Sequence, residues 1–288
     1  MTKMTFRLAL LLTALTLGVC QTAFAMDLQL KGKTALITGS TAGIGYASAE
    51  VLLKEGADVI INARSQDSID KAVASLKAAT GRTPRSFVGD MGKADDTARL
   101  VKAFPRVDIL VNNVGTFMAK DFAQTTDQDW ETIYQVNVLS GVRLSRAYLP
   151  GMKERNWGRI IFISSESALQ IPVESIHYGM TKAAQIAVAR GLAEDCAKTG
   201  VTVNSILPGP TRDPQDPRSQ DLAKRLGKNS LADVEADFFN SRRPTSLIKR
   251  FAHPDEVASL VAYVASPLSS ATTGAALRVD GGVVRSAF

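Results

Sequence analysis

Tyr178 and Lys182 lie four positions apart in one helix-like segment. A tyrosine can donate a proton, and a lysine can stabilise its charge. On a helix this spacing places both side chains on one face, roughly 6 Å apart along the axis. A tyrosine hydroxyl normally titrates near ~10, and a neighbouring ammonium group favours its phenolate form. Lowering the pKa of Tyr178 by about three units takes roughly 4 kcal/mol, and we expect Lys182 to supply part of it. The pair suits general acid–base catalysis.

A glycine-rich turn with the spacing Gly-x-x-x-Gly-x-Gly is formed by Gly39, Gly43 and Gly45. It follows a strand-like run that begins at Lys33 and precedes a helical stretch that extends to about Glu55. Glycines let the backbone approach a pyrophosphate closely, and the N–H groups and dipole at the helix start then meet its charge. Because a glycine turn alone is a weak signal, its position between a strand and a helix carries the interpretation. The turn predicts a dinucleotide site.

Strand-like and helix-like segments alternate along the chain and would hold these groups in place. Strand-like runs include Thr34–Thr38, Val59–Ala63, Ile109–Asn112 and Ile160–Ser164, and helix-length amphipathic stretches separate them. This alternation predicts an α/β fold, a doubly wound parallel sheet with helices on both faces. The sequence has 288 residues, of which 45% are hydrophobic and 22% charged. These values suit a single catalytic domain over residues 26–288.

Three motifs in this order resemble the short-chain dehydrogenase/reductase family of single-domain enzymes, and the 3-oxoacyl-acyl-carrier-protein reductases within it. They are the turn Thr38–Gly45, the segment Asn112–Gly115, and Tyr178-x-x-x-Lys182. The resemblance extends from about Leu28 to Gly282. It implies a Rossmann-like sheet of about seven strands between two helix layers, and a homo-oligomer, commonly a homotetramer.

The resemblance also assigns a catalytic set of Asn137, Ser165, Tyr178 and Lys182. By family spacing, Ser165 would hold the substrate carbonyl oxygen, where a donor stabilises developing negative charge. Asn137 matches a position where a helix irregularity and a water relay protons toward Lys182. Lys182 would also hydrogen-bond the nicotinamide ribose. Each of these residues also has an ordinary structural interpretation, such as a half-buried tyrosine or a serine in a turn.

The residues expected to contact the cofactor come from the glycine turn and from the ends of the later strands. They are Gly39, Thr41, Gly43, Ile44, Gly45, Arg64, Asp90, Met91, Asn113, Gly115, Tyr178, Lys182, Pro208, Gly209 and Thr211.

The turn after the second strand, Asn62-Ala63-Arg64-Ser65, bears on the choice of cofactor. In a dinucleotide site an acidic residue here accepts from the free 2′-hydroxyl of the adenine ribose, and a basic one accommodates a 2′-phosphate. Ala63 stands where NAD-preferring relatives carry the acid, and the guanidinium of Arg64 can fork onto phosphate oxygens. We therefore expect NADP(H) to be preferred over NAD(H), the alternative being an arginine that is merely solvated.

A long polar segment at about 212–246 follows the sixth strand. Connections of this length are usually functional or carry short helices, and we interpret this one as a substrate lid. Its charges, Arg242 and Arg243 among them, suggest a polar or anionic substrate, while a solvated surface insertion is the alternative. Glu166, directly after Ser165, would also project into the pocket.

Residues 1–25 have the form of a signal peptide. Lys3 and Arg7 precede an apolar run from Leu8 to Val19, and Ala23-Phe24-Ala25 matches a small-x-small cleavage site. A periplasmic or secreted protein is one expectation. A cytoplasmic protein whose translation starts at Met26 is the other. The apolar run is short for a membrane span, so no stable membrane anchor is expected.

Composition argues against several other functions. The net charge of +6 is spread along the chain without interleaved aromatic residues, which is unlike a nucleic-acid surface. The two histidines, His177 and His253, lie far apart without a cysteine set, so no metal site is expected.

The leading hypothesis is an NADPH-dependent reductase of a small-molecule ketone or aldehyde, in which Tyr178 donates the proton. An NAD(P)-dependent dehydrogenase acting on an alcohol, sugar or hydroxysteroid is the alternative. A non-catalytic dinucleotide sensor is the alternative from another class.

Overall fold

The computed structural model of the chain describes residues 26–214 and 216–287, so the signal-peptide prediction lies outside the described residues. In the described part, seven parallel strands form one sheet in the order β3-β2-β1-β4-β5-β6-β7. The strands are β1 (Thr34–Ile37), β2 (Asp58–Ala63), β3 (Arg85–Val88), β4 (Ile109–Asn112), β5 (Gly158–Ile163), β6 (Val201–Pro208) and β7 (Ala276–Val279).

The sheet is covered on both faces, and its central strands are buried and mostly apolar. Every residue of β4, β5 and β6 is buried. Successive residues alternate between two hydrophobic cores: Ile37 packs in the first, and Leu36 in the second. Such continuous apolar strands are typical of a doubly wound sheet. The predicted fold class is therefore confirmed.

Nine α-helices lie within the described residues, six of them packed as two layers against the sheet. Helices α1, α2 and α9 contribute to the first core, and α3, α5 and α6 to the second. The helices are α1 (Gly43–Lys54), α2 (Gln66–Thr80), α3 (Ala94–Ala103), α4 (Asp127–Tyr134), α5 (Ser140–Glu154), α6 (Ile176–Asp195), α7 (Pro217–Arg225), α8 (Leu231–Ser241) and α9 (Pro254–Ala265). A π-helical turn, Gln135–Leu139, joins α4 to α5.

The strand order places a crevice beside the first strand. The chain winds outward through β1, β2 and β3, then returns to β4 on the other side of β1. Ligands of such sheets bind outside the carboxyl ends of the strands at this switch point. The glycine turn follows β1, and the Asn112–Gly115 segment begins at the last residue of β4. The fold therefore brings the two motifs together.

The long segment at 212–246 contains helices α7 and α8. Arg243, just after α8, forms an ion pair with Glu166 beyond the end of β5. The segment is therefore tied to the carboxyl edge of the sheet, where the crevice opens. Within the residues that the structure describes, we find no helix that combines the length and hydropathy needed to span a membrane.

Candidate active site and cofactor cleft

The glycine turn leaves no room for a side chain at Gly45. A Cβ there would lie 2.5 Å from Gly39 O and 2.5 Å from Asn113 Nδ2. Gly39 has a φ of +61° and Gly43 of +56°, in the left-handed region that glycine adopts most readily. Gly43, Ile44 and Gly45 form the first turn of α1. The backbone can therefore approach a ligand closely at the start of this helix.

Two asparagines fix the turn to the neighbouring strands. Asn113 Nδ2 donates to Thr38 O at 2.9 Å and to Gly39 O at 3.0 Å. Asn62, at the end of β2, accepts from Gly39 N at 3.3 Å and donates to Gly89 O at 3.0 Å. Asn62 is a supporting residue that the sequence reasoning did not assign. The signal in the sequence was a polar residue within an otherwise apolar strand. In the structure the Asn62 side chain is 1% exposed.

A cleft of about 730 Å³ runs along the carboxyl ends of β1 to β4. Helix α1 points its N-terminus toward this edge, and Ala42 at its N-cap offers no side-chain hydrogen bond to the first turn. The first N–H groups of a helix bind phosphate well when no cap occupies them. The cleft is lined by Gly39, Thr41, Ala42, Asn62, Ala63, Arg64, Ser65, Ser68, Gly89, Asp90, Met91, Asn113, Val114, Gly115, Thr116, Thr132 and Val136.

These residues fit a dinucleotide. The glycine turn leaves space where a pyrophosphate would lie, and Gly115 sits between the cleft and Lys182, since a Cβ at Gly115 would lie 3.5 Å from Lys182 Nζ. Arg64 is exposed at the other end of the cleft, beside Ser65, the N-cap of α2. The cleft therefore extends from a basic end at Arg64 to Gly115, next to Lys182.

Tyr178 and Lys182 share one face of α6, as the spacing predicted. Lys182 Nζ lies 5.5 Å from the centre of the Tyr178 ring. It donates to Ile163 O at 2.8 Å and to Gln185 Oε1 at 3.2 Å. Lys182 is 4% exposed, so these contacts hold its amino group in one place.

The pKa values of this pair move apart. Burial raises the pKa of Tyr178 to about 12, and a hydrogen bond between the hydroxyls of Ser165 and Tyr178 acts in the opposite direction. Burial lowers the pKa of Lys182 to about 7. The net direction for Tyr178 is opposite to the expected lowering, because removal of the phenol from water outweighs the favourable interactions with Ser165 and Arg243. At neutral pH Tyr178 holds its proton.

Ser165 and Asn137 complete the arrangement. Ser165 follows β5, caps a short turn by accepting from Ser167 N at 3.1 Å, and reaches Tyr178 with its hydroxyl. Asn137 lies inside the π-helical turn. Its side chain donates to Thr181 Oγ1 at 3.0 Å and accepts from Thr116 N at 2.7 Å. All four predicted catalytic residues are thus brought to the carboxyl edge of β4 and β5.

Gln185 joins two of these residues and was not found from the sequence. Its Nε2 donates to the backbone oxygen of Asn137 at 2.6 Å, and its Oε1 accepts from Lys182 Nζ. The side chain is 1% exposed. A glutamine one turn after Lys182 was its only signal. Because an amide retains its hydrogens, this link fixes the position of Lys182 rather than carrying a proton.

Phe117 is a second residue of the site that was not predicted from the sequence. Its ring packs edge-on against the ring of Tyr178, with centroids 5.1 Å apart, although Phe117 itself is 58% exposed. An exposed aromatic ring beside the phenol forms an apolar wall for a ligand.

The predicted cofactor residues at the end of β6 and after it, Pro208, Gly209 and Thr211, stay predictions. They are not among the residues that line the cleft, and neither are the predicted residues Gly43, Ile44, Gly45, Tyr178 and Lys182. Gly209 packs on the last turn, since a Cβ there would lie 2.5 Å from Asp280 O. Thr211 pairs with Ala252 in an isolated bridge. In the described ranges we also find no cluster of three or more His, Cys, Asp or Glu residues able to hold a metal ion.

Comparison with known proteins identifies the family. The model of the short chain dehydrogenase family matches residues 33–221. The uncharacterized oxidoreductase YvaG of Bacillus subtilis is 44% identical over 267 aligned positions, which cover 91% of this chain and all (100%) of YvaG. The 3-oxoacyl-acyl-carrier-protein reductase FabG of Vibrio cholerae is 32% identical, with 89% of this chain and 99% of FabG covered.

A solved structure supports the same family. The structure of L-sorbose reductase from Gluconobacter frateurii, complexed with NADPH and L-sorbose, superposes with a TM-score of 0.82 at 32% identity. The superposition covers 91% of this chain and 100% of the sorbose reductase chain. The chain therefore belongs to the short-chain dehydrogenase/reductase family, as an oxidoreductase that binds a nicotinamide dinucleotide and acts on carbonyl or CH–OH groups.

Proposed function

We propose that the chain is an NADPH-dependent reductase of a ketone or aldehyde and that Tyr178 is its proton donor. The bound cofactor supplies the hydride that attacks the carbonyl carbon. Ser165 holds the carbonyl oxygen, and Tyr178 protonates this oxygen as negative charge develops on it. Lys182 holds the cofactor ribose, and Asn137 holds the π-helical turn behind Lys182.

The protonation state of Tyr178 is the observation that supports its role as the proton donor. With its pKa at about 12, the phenol stays protonated across neutral pH and loses its proton only as the pH rises toward that value. A protonated phenol is an acid, which carbonyl reduction requires, whereas alcohol oxidation requires a base at the same place. The hydrogen bond between the hydroxyls of Ser165 and Tyr178 brings both groups to the place that we assign to the carbonyl oxygen.

The preference for NADP(H) rests on the basic end of the cleft. Arg64 is exposed there and can form a bidentate contact with a 2′-phosphate. Ser65 and Ser68 add hydroxyl groups, and the N-terminus of α2 lies beside them. The sorbose reductase that superposes on this chain was solved with NADPH. Asp90 and Met91 line the cleft nearby, where an adenine ring would lie.

Replacement Arg64→Ala tests the preference. We expect the Kd of NADPH to rise about tenfold to a hundredfold, because hydrogen bonds between charged groups contribute about 1.5–3 kcal/mol. The Kd of NADH should change less than about threefold on that scale. Fluorescence titration measures both constants. Arg106→Ala, which removes an exposed arginine just before β4 at the opposite edge of the sheet, is the matched control. Equal losses for the two cofactors would contradict the assignment.

A panel of carbonyl compounds tests the reaction. Purified protein is mixed with NADPH and with aldehydes, ketones and hydroxyketones in turn, and the loss of reduced nicotinamide absorbance is followed. We expect reduction of at least one class, and slower oxidation of the corresponding alcohol with NADP⁺ at neutral pH. Faster oxidation would favour the dehydrogenase alternative. Tight binding of NADPH without turnover of any compound would favour the sensor.

Two further expectations stay proposals. We interpret residues 212–246, with α7 and α8, as the substrate lid, since the ion pair of Arg243 with Glu166 ties its end to the active site. We also expect a homotetramer. An apolar groove of about 400 Å³ between α5 and α6 offers a surface that a second copy would cover.

A further inference from the structure

Glu166 carries a buried carboxylate oxygen that lacks a donor. It is the residue directly after Ser165 and is 2% exposed. Its Oε1 accepts from Arg243 Nε at 2.8 Å. Its Oε2 is buried and has no hydrogen-bond partner among the residues that the structure describes. Leaving a charged oxygen buried without a donor costs free energy, so a buried carboxylate normally has its oxygens paired.

The Glu166 and Arg243 pair lies at the reacting end of the site. The negative charge of Glu166 raises the pKa of Tyr178, and the positive charge of Arg243 lowers it. The short turn Glu166–Ala168 packs against α6 beside Tyr178, since a Cβ at Gly179 would lie 2.9 Å from Ser167 O. Arg243 also borders a cavity of about 470 Å³ between residues 170–174 and the end of α8. Arg243 therefore links this cavity to Glu166, the residue next to Ser165.

The hydrogen bonds of Arg243 restrict what can bind there. Its Nε is held by Glu166, and its Nη1 donates to Arg242 O at 2.9 Å. An anionic substrate group would meet the negative charge at Glu166 Oε2 and a guanidinium whose positive charge Glu166 already balances. A cationic group would add a positive charge to a pair that is balanced. A neutral hydroxyl group satisfies an acceptor-only carboxylate oxygen without adding charge.

We propose that Glu166 Oε2 accepts a hydrogen bond from a hydroxyl group of the substrate, carried near the carbonyl that Ser165 holds. The substrate class is then a hydroxyketone or hydroxyaldehyde, rather than a plain ketone or a keto acid. This inference rests on the proposed reductase function. Arg243 is a positioning residue in it, since it orients the carboxylate and brings the end of the lid against it.

Matched substrates test the proposal directly. Hydroxyacetone and butanone have the same carbonyl and the same number of heavy atoms, and they differ by a hydroxyl in place of a methyl group. With the full chain and NADPH, we expect kcat/KM for hydroxyacetone to exceed that for butanone at least about tenfold, which corresponds to about 1.4 kcal/mol. Dihydroxyacetone against 3-pentanone repeats the comparison, and pyruvate tests an anionic group.

The double variant Glu166→Met with Arg243→Met removes the acceptor together with its partner, so that neither charge is left buried alone. We expect the ratio of kcat/KM for hydroxyacetone to butanone to fall to about one, with the protein still folded by circular dichroism. Arg242→Met is the control, since its longer 3.8 Å pair joins Glu174 instead. This variant should keep the preference for hydroxyacetone.

The outcomes separate the two proposals. Equal reduction of butanone and hydroxyacetone by the native chain, or an unchanged ratio in the folded double variant, would overturn the hydroxyl site and leave the reductase function standing. A faster reaction with pyruvate than with hydroxyacetone would overturn it too. Failure to reduce any carbonyl compound would overturn both.

Discussion

Replacement Tyr178→Phe should lower kcat for carbonyl reduction by at least about a thousandfold, while the Kd of NADPH changes less than about threefold. Proton transfer by a positioned side chain contributes about 10²–10⁴ in rate. The phenol keeps its proton at neutral pH, because burial raises its pKa to about 12. Removing one oxygen leaves the ring, and its packing against Phe117, in place. Steady-state kinetics and fluorescence titration measure the two quantities.

Tyr263→Phe is the control for this experiment. Tyr263 is 39% exposed on α9, the layer that packs on the other face of the sheet, and its loss should leave kcat unchanged. If the Tyr178 variant kept a tenth or more of the native rate, another group would have to deliver the proton. The role of Tyr178 as donor would then be wrong, although the family and the cofactor cleft would stand.

The pKa of Tyr178 also predicts how the rate of carbonyl reduction depends on pH. A group whose pKa is raised keeps its proton to higher pH, so reduction should not lose its acid between pH 6 and 9. The motif alone suggested the reverse, a phenolate stabilised by Lys182. The spacing of four residues shows that a lysine lies beside Tyr178. It does not show how deeply the phenol is buried, because burial depends on other segments of the chain, such as Phe117 and the loop after β5.

The fold was predictable to a greater degree than the site. Apolar runs marked the strands to within a residue or two, as in β1, predicted as Thr34–Thr38 and observed as Thr34–Ile37. This works because a strand buried on both faces is mostly apolar. The two cores then follow from the alternation of side chains along each strand.

Residues outside the motifs could not be found in the same way. Gln185 reaches Lys182 and Asn137 at once, yet an isolated glutamine in a helix carries no pattern. Asn62 and Phe117 depend on contacts with segments that are 23 or more positions away in the chain. For Glu166 the position after Ser165 suggested a pocket residue, but its partner Arg243 lies 77 positions further on. Only the folded arrangement reveals the unpaired oxygen.

The second large effect is expected from Gly45→Ala. The added Cβ would lie 2.5 Å from Gly39 O, 2.5 Å from Asn113 Nδ2 and 2.9 Å from Ser40 Cα. Two of these three neighbours are backbone atoms, so the turn itself must move. The hydrogen bonds from Asn113 to Thr38 O and Gly39 O would then be strained or lost.

Overpacking of this kind costs about 1–3 kcal/mol, and each lost hydrogen bond about 1 kcal/mol more. We therefore expect the Kd of NADPH to rise at least about a hundredfold. The melting temperature should fall by roughly 3–10 °C. Fluorescence titration and differential scanning calorimetry measure the two effects.

Gly191→Ala supplies the matched control, since the same methyl group enters the middle of α6 with nothing within 4 Å of it. Alanine favours a helix over glycine by about 1 kcal/mol, so this variant should melt slightly higher and bind NADPH as the native chain does. A Gly45 variant with native affinity for NADPH would show that the pyrophosphate does not lie on the first turn of α1. The cofactor would then have to bind elsewhere along the carboxyl edge, and Arg64 would lose its place at the 2′-phosphate as well.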